Sequence, residues 1–296
     1  MAVVTIEEQS VPDETLYVTT NLHRSPAWFG DLIVADTDEM ALIGAGDYGA
    51  IYSGSFLYDR NGKASGTVSS FEFLLGAAQG ESGGFDGDTQ FTITGINDPD
   101  GFSARRLQEY ATSGDGTAAL QFMLSKADVI YGTGFSEYSI DEILYGWGGK
   151  DRIFGVDGHD VLGGGLGKDT LAGGNGQDYF FLDSAKAKNA DMILDFGFGN
   201  TRDKIVLLQS EFTGLALGGL SADQFVIGAA AADADDRILL DGHKLRYDAD
   251  GSGIGKAVMI AKVFYAEVVP VGITQLTADD FLIVDSIENI VPLVPV

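Results

Sequence analysis

Apolar positions along the chain fall into three regimes, each predicting a different kind of element. Before about residue 127 they alternate with polar positions in short stretches. Phe56, Tyr58 and Val68 alternate around the Asn61-Gly62 pair, which predicts two strands joined by a tight turn. Ile51, Ser53, Ser55 and Leu57 read as one strand interrupted by Gly54, and Phe91, Ile93 and Ile96 as another before the loop at 97–101. Residues 103–110 and 117–126 read as short helices. From residue 146 to 181 apolar positions recur every nine residues. Beyond 183 the pattern becomes strand and turn again: 238–240, Asp241-Gly242, 245–247, then Asp250-Gly251.

The nine-residue segment reads GWGGKDRIF, GVDGHDVLG, GGLGKDTLA, GGNGQDYFF. Glycine holds the first place (Gly146, Gly155, Gly164, Gly173) and the fourth (Gly149, Gly158, Gly167, Gly176). Aspartate holds the sixth (Asp151, Asp160, Asp169, Asp178), and the eighth is apolar (Ile153, Leu162, Leu171, Phe180). Glycines at one and four open backbone conformations closed to residues with a Cβ and let carbonyls converge. The last three residues form a short strand with the eighth side chain inward. Two nonapeptides then make one coil of a parallel β-roll, which stacks Asp151 near Asp169 and Asp160 near Asp178, about 5 Å apart per layer. Such carboxylates repel unless a cation lies between them, and hard anionic oxygen is the ligand calcium prefers. The expected site is therefore Ca²⁺ between stacked turns, held by the aspartates and by carbonyls at positions one to four. Those carbonyls belong to Gly146, Trp147, Gly148 and Gly149; Gly155, Val156, Asp157 and Gly158; Gly164, Gly165, Leu166 and Gly167; and Gly173, Gly174, Asn175 and Gly176. The preceding window, 137–145, is a degenerate repeat with Glu142 at its sixth place and Leu144 at its eighth, which caps the roll and adds a weaker site.

This segment resembles the repeats-in-toxin (RTX) family, whose nonapeptide is GGxGxDxUx with U apolar. It departs from that pattern at Trp147, Val156, Gly148, Asp157 and Leu166, which occupy the second and third places, where backbone carbonyls carry the ligation. The stretch 190–207 resembles the segment that closes the β-roll in secreted RTX proteins and serralysin-like proteases, through Asp191, Ile193, Asp195, Phe196, Asp203, Lys204, Ile205 and Leu207. The resemblance implies that Asp195 gives a calcium carboxylate to the final turn. Residues 220–253 look like the tail of type I secreted calcium-binding proteins, and LTADDFLIV at 276–284 like their uncleaved secretion signal. The resemblance thus implies an extracellular or surface-associated protein that meets a type I secretion apparatus and folds on calcium outside the cell.

Composition sharpens this picture. Lys plus Arg number 18 against 44 Asp plus Glu, a formal charge of −26, which argues against nucleic acid and anionic membrane as partners. There is no cysteine, so no disulfide frame and no thiolate site. The first residues lack a basic region, so an N-terminal export peptide is not expected, and no apolar run is long enough for a transmembrane segment. The expected architecture is all-β: an N-terminal β-rich domain at 1–127, the RTX roll at 128–182, and a β-rich secretion region at 183–296. The front domain carries no recognised catalytic string. Gly44, Gly46 and Gly49 satisfy G-x-G-x-x-G, but a strand follows instead of the helix that a dinucleotide needs, so a turn is expected. Asp248, Asp250 and Ser252 fit the start of an EF-hand loop, but Met259 holds the place of its bidentate Glu, which favours a hairpin. His23 is the candidate haem ligand of a hemophore-like carrier, and Asp98-Pro99 a candidate self-cleavage site. The front domain is thus expected to bind an extracellular glycan or protein, with a secreted hydrolase or a hemophore-like carrier as the alternatives.

Overall fold

The computed structural model describes residues 124–132, 141–198, 202–266 and 275–290 throughout, and the strands before residue 95. The chain forms two compact units, Met1–Tyr131 and Gly132–Val296. Among the described residues both are built from strands and short 3-10 turns, with no α-helix. The all-β expectation therefore holds. No described helix is long and apolar enough to cross a membrane.

In the first unit the strands are β1 (Val3–Ile6), β2 (Asp31–Ala35), β3 (Glu39–Ile43), β4 (Tyr48–Tyr58), β5 (Ala64–Gln79), β6 (Phe85–Thr94) and β7 (Val129–Tyr131). They form one sheet in the order β7-β1-β6-β5-β4-β3-β2, antiparallel except for β1 against β7. Tyr58 pairs with Ala64, so β4 and β5 are antiparallel neighbours as expected, while Asn61-Gly62 itself lies outside the described residues, and Gly54 sits at a register shift in β4. Glycine without a side chain suits such a bulge. β4, a strand antiparallel to β3, follows where a dinucleotide site needs a helix, so the dinucleotide reading fails on topology; Gly44 and Gly46 themselves lie outside the described residues. Residues 103–110, His23 and Asp98-Pro99 lie outside the described residues. Of 117–126 only 124–126 are described, and they form a turn and bends.

The second unit contains β8 (Ile143–Tyr145), β9 (Gly148–Gly149), β10 (Arg152–Asp157), β11 (Val161–Gly163), β12 (Leu166–Gly167), β13 (Thr170–Asn175) and β14 (Tyr179–Leu182). It continues with β15 (Asp191–Phe196), β16 (Lys204–Leu208), β17 (Gly218–Gly219), β18 (Phe225–Ile227), β19 (Ile238–Asp241), β20 (Lys244–Tyr247), β21 (Val258–Tyr265) and β22 (Phe281–Val284). Successive strands alternate between two parallel sheets, β10-β13-β15-β21 and β8-β11-β14-β16-β22, so the chain winds as a roll. Strands β15, β16, β21 and β22, all beyond residue 182, are rungs of these same sheets. The register is eighteen residues where Arg152 faces Thr170 and Val161 faces Tyr179. It lengthens where Thr170 faces Met192 and Tyr179 faces Lys204.

Eighth-position side chains stack as two inward columns. Leu144, Leu162, Phe180 and Ile205 line one sheet, and Ile153, Leu171, Ile193 and Val263 the other, all with no exposed surface. Burying each contributes about 1.5–3 kcal/mol. Antiparallel β20–β21 makes residues 248–257 a hairpin connection, in which Asp250 Oδ2 accepts a hydrogen bond from Gly255 N at 3.0 Å. The hairpin reading of that segment stands.

Candidate metal centre along the edges of the roll

The two sheets leave two edges of stacked turns, and each edge carries a ladder of buried acids. On the first edge Asp151 N donates to Asp169 Oδ1 at 2.7 Å, and Asp169 N donates to Asp191 Oδ1 at 3.0 Å. On the second, Glu142 N donates to Asp160 Oδ1 at 2.9 Å, Asp160 N to Asp178 Oδ1 at 3.0 Å, and Asp178 N to Asp203 Oδ1 at 3.0 Å. One oxygen of each aspartate so holds the backbone of the turn below it in sequence. The other oxygen, Oδ2, is buried in Asp160, Asp169 and Asp178 and accepts no hydrogen bond from the described residues. Buried carboxylate oxygens without donors are costly unless a cation or a proton meets them.

The first-place glycines show where these oxygens point. A Cβ added to Gly155 would lie 2.4 Å from Asp160 Oδ2 and 2.6 Å from the Gly173 carbonyl oxygen. At Gly146 the same atom would meet Asp151 Oδ2 at 2.4 Å and the Gly164 carbonyl at 2.9 Å. Gly146 and Gly155 therefore let an aspartate oxygen and a carbonyl of the next coil come close together, while at Gly164 and Gly173 a Cβ would meet Asp169 Oδ2 at 2.3 Å and Asp178 Oδ2 at 2.1 Å. Positive φ occurs elsewhere in the turn. The second place has it whatever its side chain, at 64° in Trp147 and 83° in Val156, and so does the fourth, at 155° in Gly167. The expectation that glycines at one and four serve the same conformational purpose is corrected: the first serves space, the fourth conformation.

Electrostatics follow from this enclosure. Burial, with repulsion from Glu142 and Asp178, holds the Asp160 carboxyl well above the usual carboxylate range. Burial pushes Asp178 up to about 8 with Asp203 adding to it, and burial moves Asp203 to about 7. Asp191 rises to about 9 through burial, reinforced by Asp169 and Asp183. Asp169 rises by burial too.

No group of three or more His, Cys, Asp or Glu side chains converges among the described residues. The donor set is instead one or two carboxylates with backbone carbonyls, all hard oxygens, the donor type that a hard cation takes. Of the other expected ligands, the Trp147 carbonyl accepts Leu166 N at 2.9 Å and that of Asn175 accepts Gly158 N at 3.0 Å, while Asn175 Nδ2 donates to Asp157 Oδ1. Leu166 is largely exposed and pairs with Gly148. Asp195 lies on the second edge, where its two oxygens accept Gly173 N and Gly174 N, each at 3.0 Å.

Two rungs escaped the repeat pattern. Asp191 and Asp203 occupy the sixth place of the next coils although no GGxGxD string precedes them. Their signal is the D-x-apolar triplet, Asp191-Met192-Ile193 and Asp203-Lys204-Ile205, at spacings lengthened by loops. Two longer ties were not visible at all: Tyr145 donates its hydroxyl to Asp183 across 38 residues, and Arg202 clamps buried Asp280.

No protein-family model and no curated protein matches the chain. Among solved structures it is similar to the apo hemophore HasA from Yersinia pestis, at 14% identity and a TM-score of 0.31, covering 42% of this chain and 86% of that one. It is also similar to the AlgE6R3 subunit of the Azotobacter vinelandii mannuronan C5-epimerase, at 25% identity and a TM-score of 0.28, covering 51% and 85%. At these scores neither overlay establishes a shared fold.

Proposed function

We propose that this chain is a secreted calcium-binding protein of the RTX kind, whose roll closes when Ca²⁺ enters the stacked turns. The observation that carries this is the set of buried Oδ2 atoms of Asp160, Asp169 and Asp178, without a hydrogen-bond donor among the described residues and packed against first-place glycines where a Cβ would collide with them. Calcium supplies the positive charge that those oxygens lack. The chain supplies the rest: Oδ1 atoms that tie each turn to the next, carbonyls at the turn tips, and apolar columns that stack once the turns close.

Without the ion, two costs oppose closure. Glycine-rich turns lose much backbone entropy on ordering, and the acid ladder must be enclosed uncompensated. A cell interior poor in free calcium therefore favours the open chain, the form a type I exporter accepts. Outside, calcium near the roughly 10⁻⁴–10⁻³ M affinity of extracellular modules drives closure. The front unit then acts as the binding part of a surface or matrix protein.

The test replaces Asp160→Ala together with Asp169→Ala, removing one free oxygen from each edge. Calorimetric titration with CaCl₂ is expected to lose most of the binding heat, and far-UV circular dichroism the calcium-induced β signal. Unchanged heat and unchanged folding would refute the reading.

A further inference from the structure

The two edges of the roll differ in charge. In the first-edge turns GWGGKD and GGLGKD the fifth place is Lys150 and Lys168, both exposed, and the only acids are the buried Asp151 and Asp169. Asp151 bonds to Asp169, so the two lysines occupy equivalent places on adjacent rungs, about 4.8 Å apart along the edge. The 3-10 turn Ala187–Asn189 packs beside β12 and adds exposed Lys188. Exposed Arg152 follows one turn, its guanidinium 5.4 Å from the centre of the Phe154 ring. The second edge has Asp141, His159, Gln177 and Arg202 in the fifth place, and its cations are engaged: Arg202 pairs with Asp280, and Lys204, which follows the last turn, donates to the Asp279 carbonyl.

Apolar surface borders this row. Trp147 is half-buried at the tip, stacked edge-on against Tyr145 with ring centres 5.1 Å apart, and Leu166 is 64% exposed one rung away. Asp183, just after β14, is engaged by the Tyr145 hydroxyl. A narrow line of cations beside an aromatic ring is thus set into a chain of net charge −26.

We propose that the first edge binds a linear carboxylated polysaccharide. Such a polymer presents anions in file, one sugar advance apart, to Lys150, Lys168 and Lys188, and apolar sugar-ring faces to Trp147 and Leu166. Broad polyanions, a nucleic acid duplex or an anionic bilayer, would press against the acidic remainder of the surface. The proposal rests on the function above only for an extracellular setting, since the lysine row belongs to the folded roll whatever closes it.

The full chain carrying Trp28→Phe leaves Trp147 as its one tryptophan. Its fluorescence is followed while short oligogalacturonate is added, with calcium and with chelator, and folding is monitored by circular dichroism. Saturable binding is expected from the folded chain, weakened about tenfold or more by Lys150→Gln plus Lys168→Gln and by raised salt, with no response to a neutral maltooligosaccharide. Equal binding by the double variant, or an equal response to the neutral sugar, overturns the proposal. So does equal lysine-dependent binding of duplex DNA or anionic vesicles, which would mark a general anion surface. A roll that folds without calcium refutes the calcium reading alone, whereas a folded chain indifferent to the oligosaccharide refutes this one alone.

Discussion

The second place of each turn offers a quantitative check on the roll geometry. Four residues hold it, Trp147, Val156, Gly165 and Gly174, with φ of 64°, 83°, 80° and 94°. A β-branched residue there bears roughly 1–2 kcal/mol of left-handed strain. Replacing it by glycine removes that strain and adds about 0.5–1 kcal/mol of unfolded-state entropy. Val156→Gly is therefore expected to be neutral or stabilising by up to about 1 kcal/mol, despite deleting an apolar side chain. The reverse change, Gly174→Val, adds the strain and drives a Cβ to 2.1 Å from the Val156 carbonyl oxygen, so the backbone must move. Its cost is about 3 kcal/mol or more once overpacking is included. In a unit of this size 1 kcal/mol shifts the melting temperature by roughly 2–4 °C. Thermal unfolding at saturating calcium should leave Val156→Gly at or above the parent and lower Gly174→Val by roughly 6–12 °C. Equal losses in both variants, or a Gly174→Val that melts with the parent, would refute the left-handed assignment of this place.

Other parts of the roll are open to the same treatment. Asp203→Ala strips acceptors from Asp178 N and from Gly197 N, which Asp203 Oδ2 holds at 2.6 Å, so a loss of about 2–4 kcal/mol in urea unfolding and weaker calcium affinity are expected. Arg202→Ala leaves fully buried Asp280 without its cation; because Arg202 is 42% exposed, the loss is about 1–3 kcal/mol, read as a lower urea midpoint. Leu162→Ala empties a fully buried site in the apolar column and should cost about 2–5 kcal/mol. Burial raises the folded-state carboxyls of Asp203, Asp178 and Asp191 to about 7, 8 and 9, so each favours the calcium-free fold below its unfolded value and loses that effect as pH climbs through 7 to 9. Calcium-depleted protein should thus have a higher urea midpoint at pH 5 than at pH 9, and calcium uptake near neutral pH should release protons; a midpoint that rises with pH would contradict this.

The roll was legible in the sequence because its period is written in residue types. Gly146 to Phe180 repeat every nine residues, and the expected neighbours Asp151 and Asp169, or Asp160 and Asp178, do stack. Leu144 and Glu142 likewise take the eighth and sixth places of a degenerate turn. What escaped the reading depends on contacts whose spacing is not fixed. Asp191 and Asp203, singled out only through the resemblance of 190–207 to a closing segment, continue the ladders after loops that lengthen the register, so a search at a fixed period passes over their place in them. Tyr145 reaches Asp183 because Gly163, between them in the stack, has no side chain: a Cβ there would lie 2.5 Å from the Tyr145 ring. Such a tie is set by what a neighbouring rung lacks, which no local pattern announces. The second-place φ was hidden for the opposite reason, since Trp147 and Val156 accept a conformation that their residue types disfavour.

The central claim is that a cation closes the acid ladders, and far-UV circular dichroism of the chelator-treated full chain during a CaCl₂ titration, with MgCl₂ alongside, tests it most directly. A cooperative rise in β signal with calcium and none with magnesium is the predicted result. A spectrum fully formed in chelator at neutral pH and indifferent to calcium would contradict it.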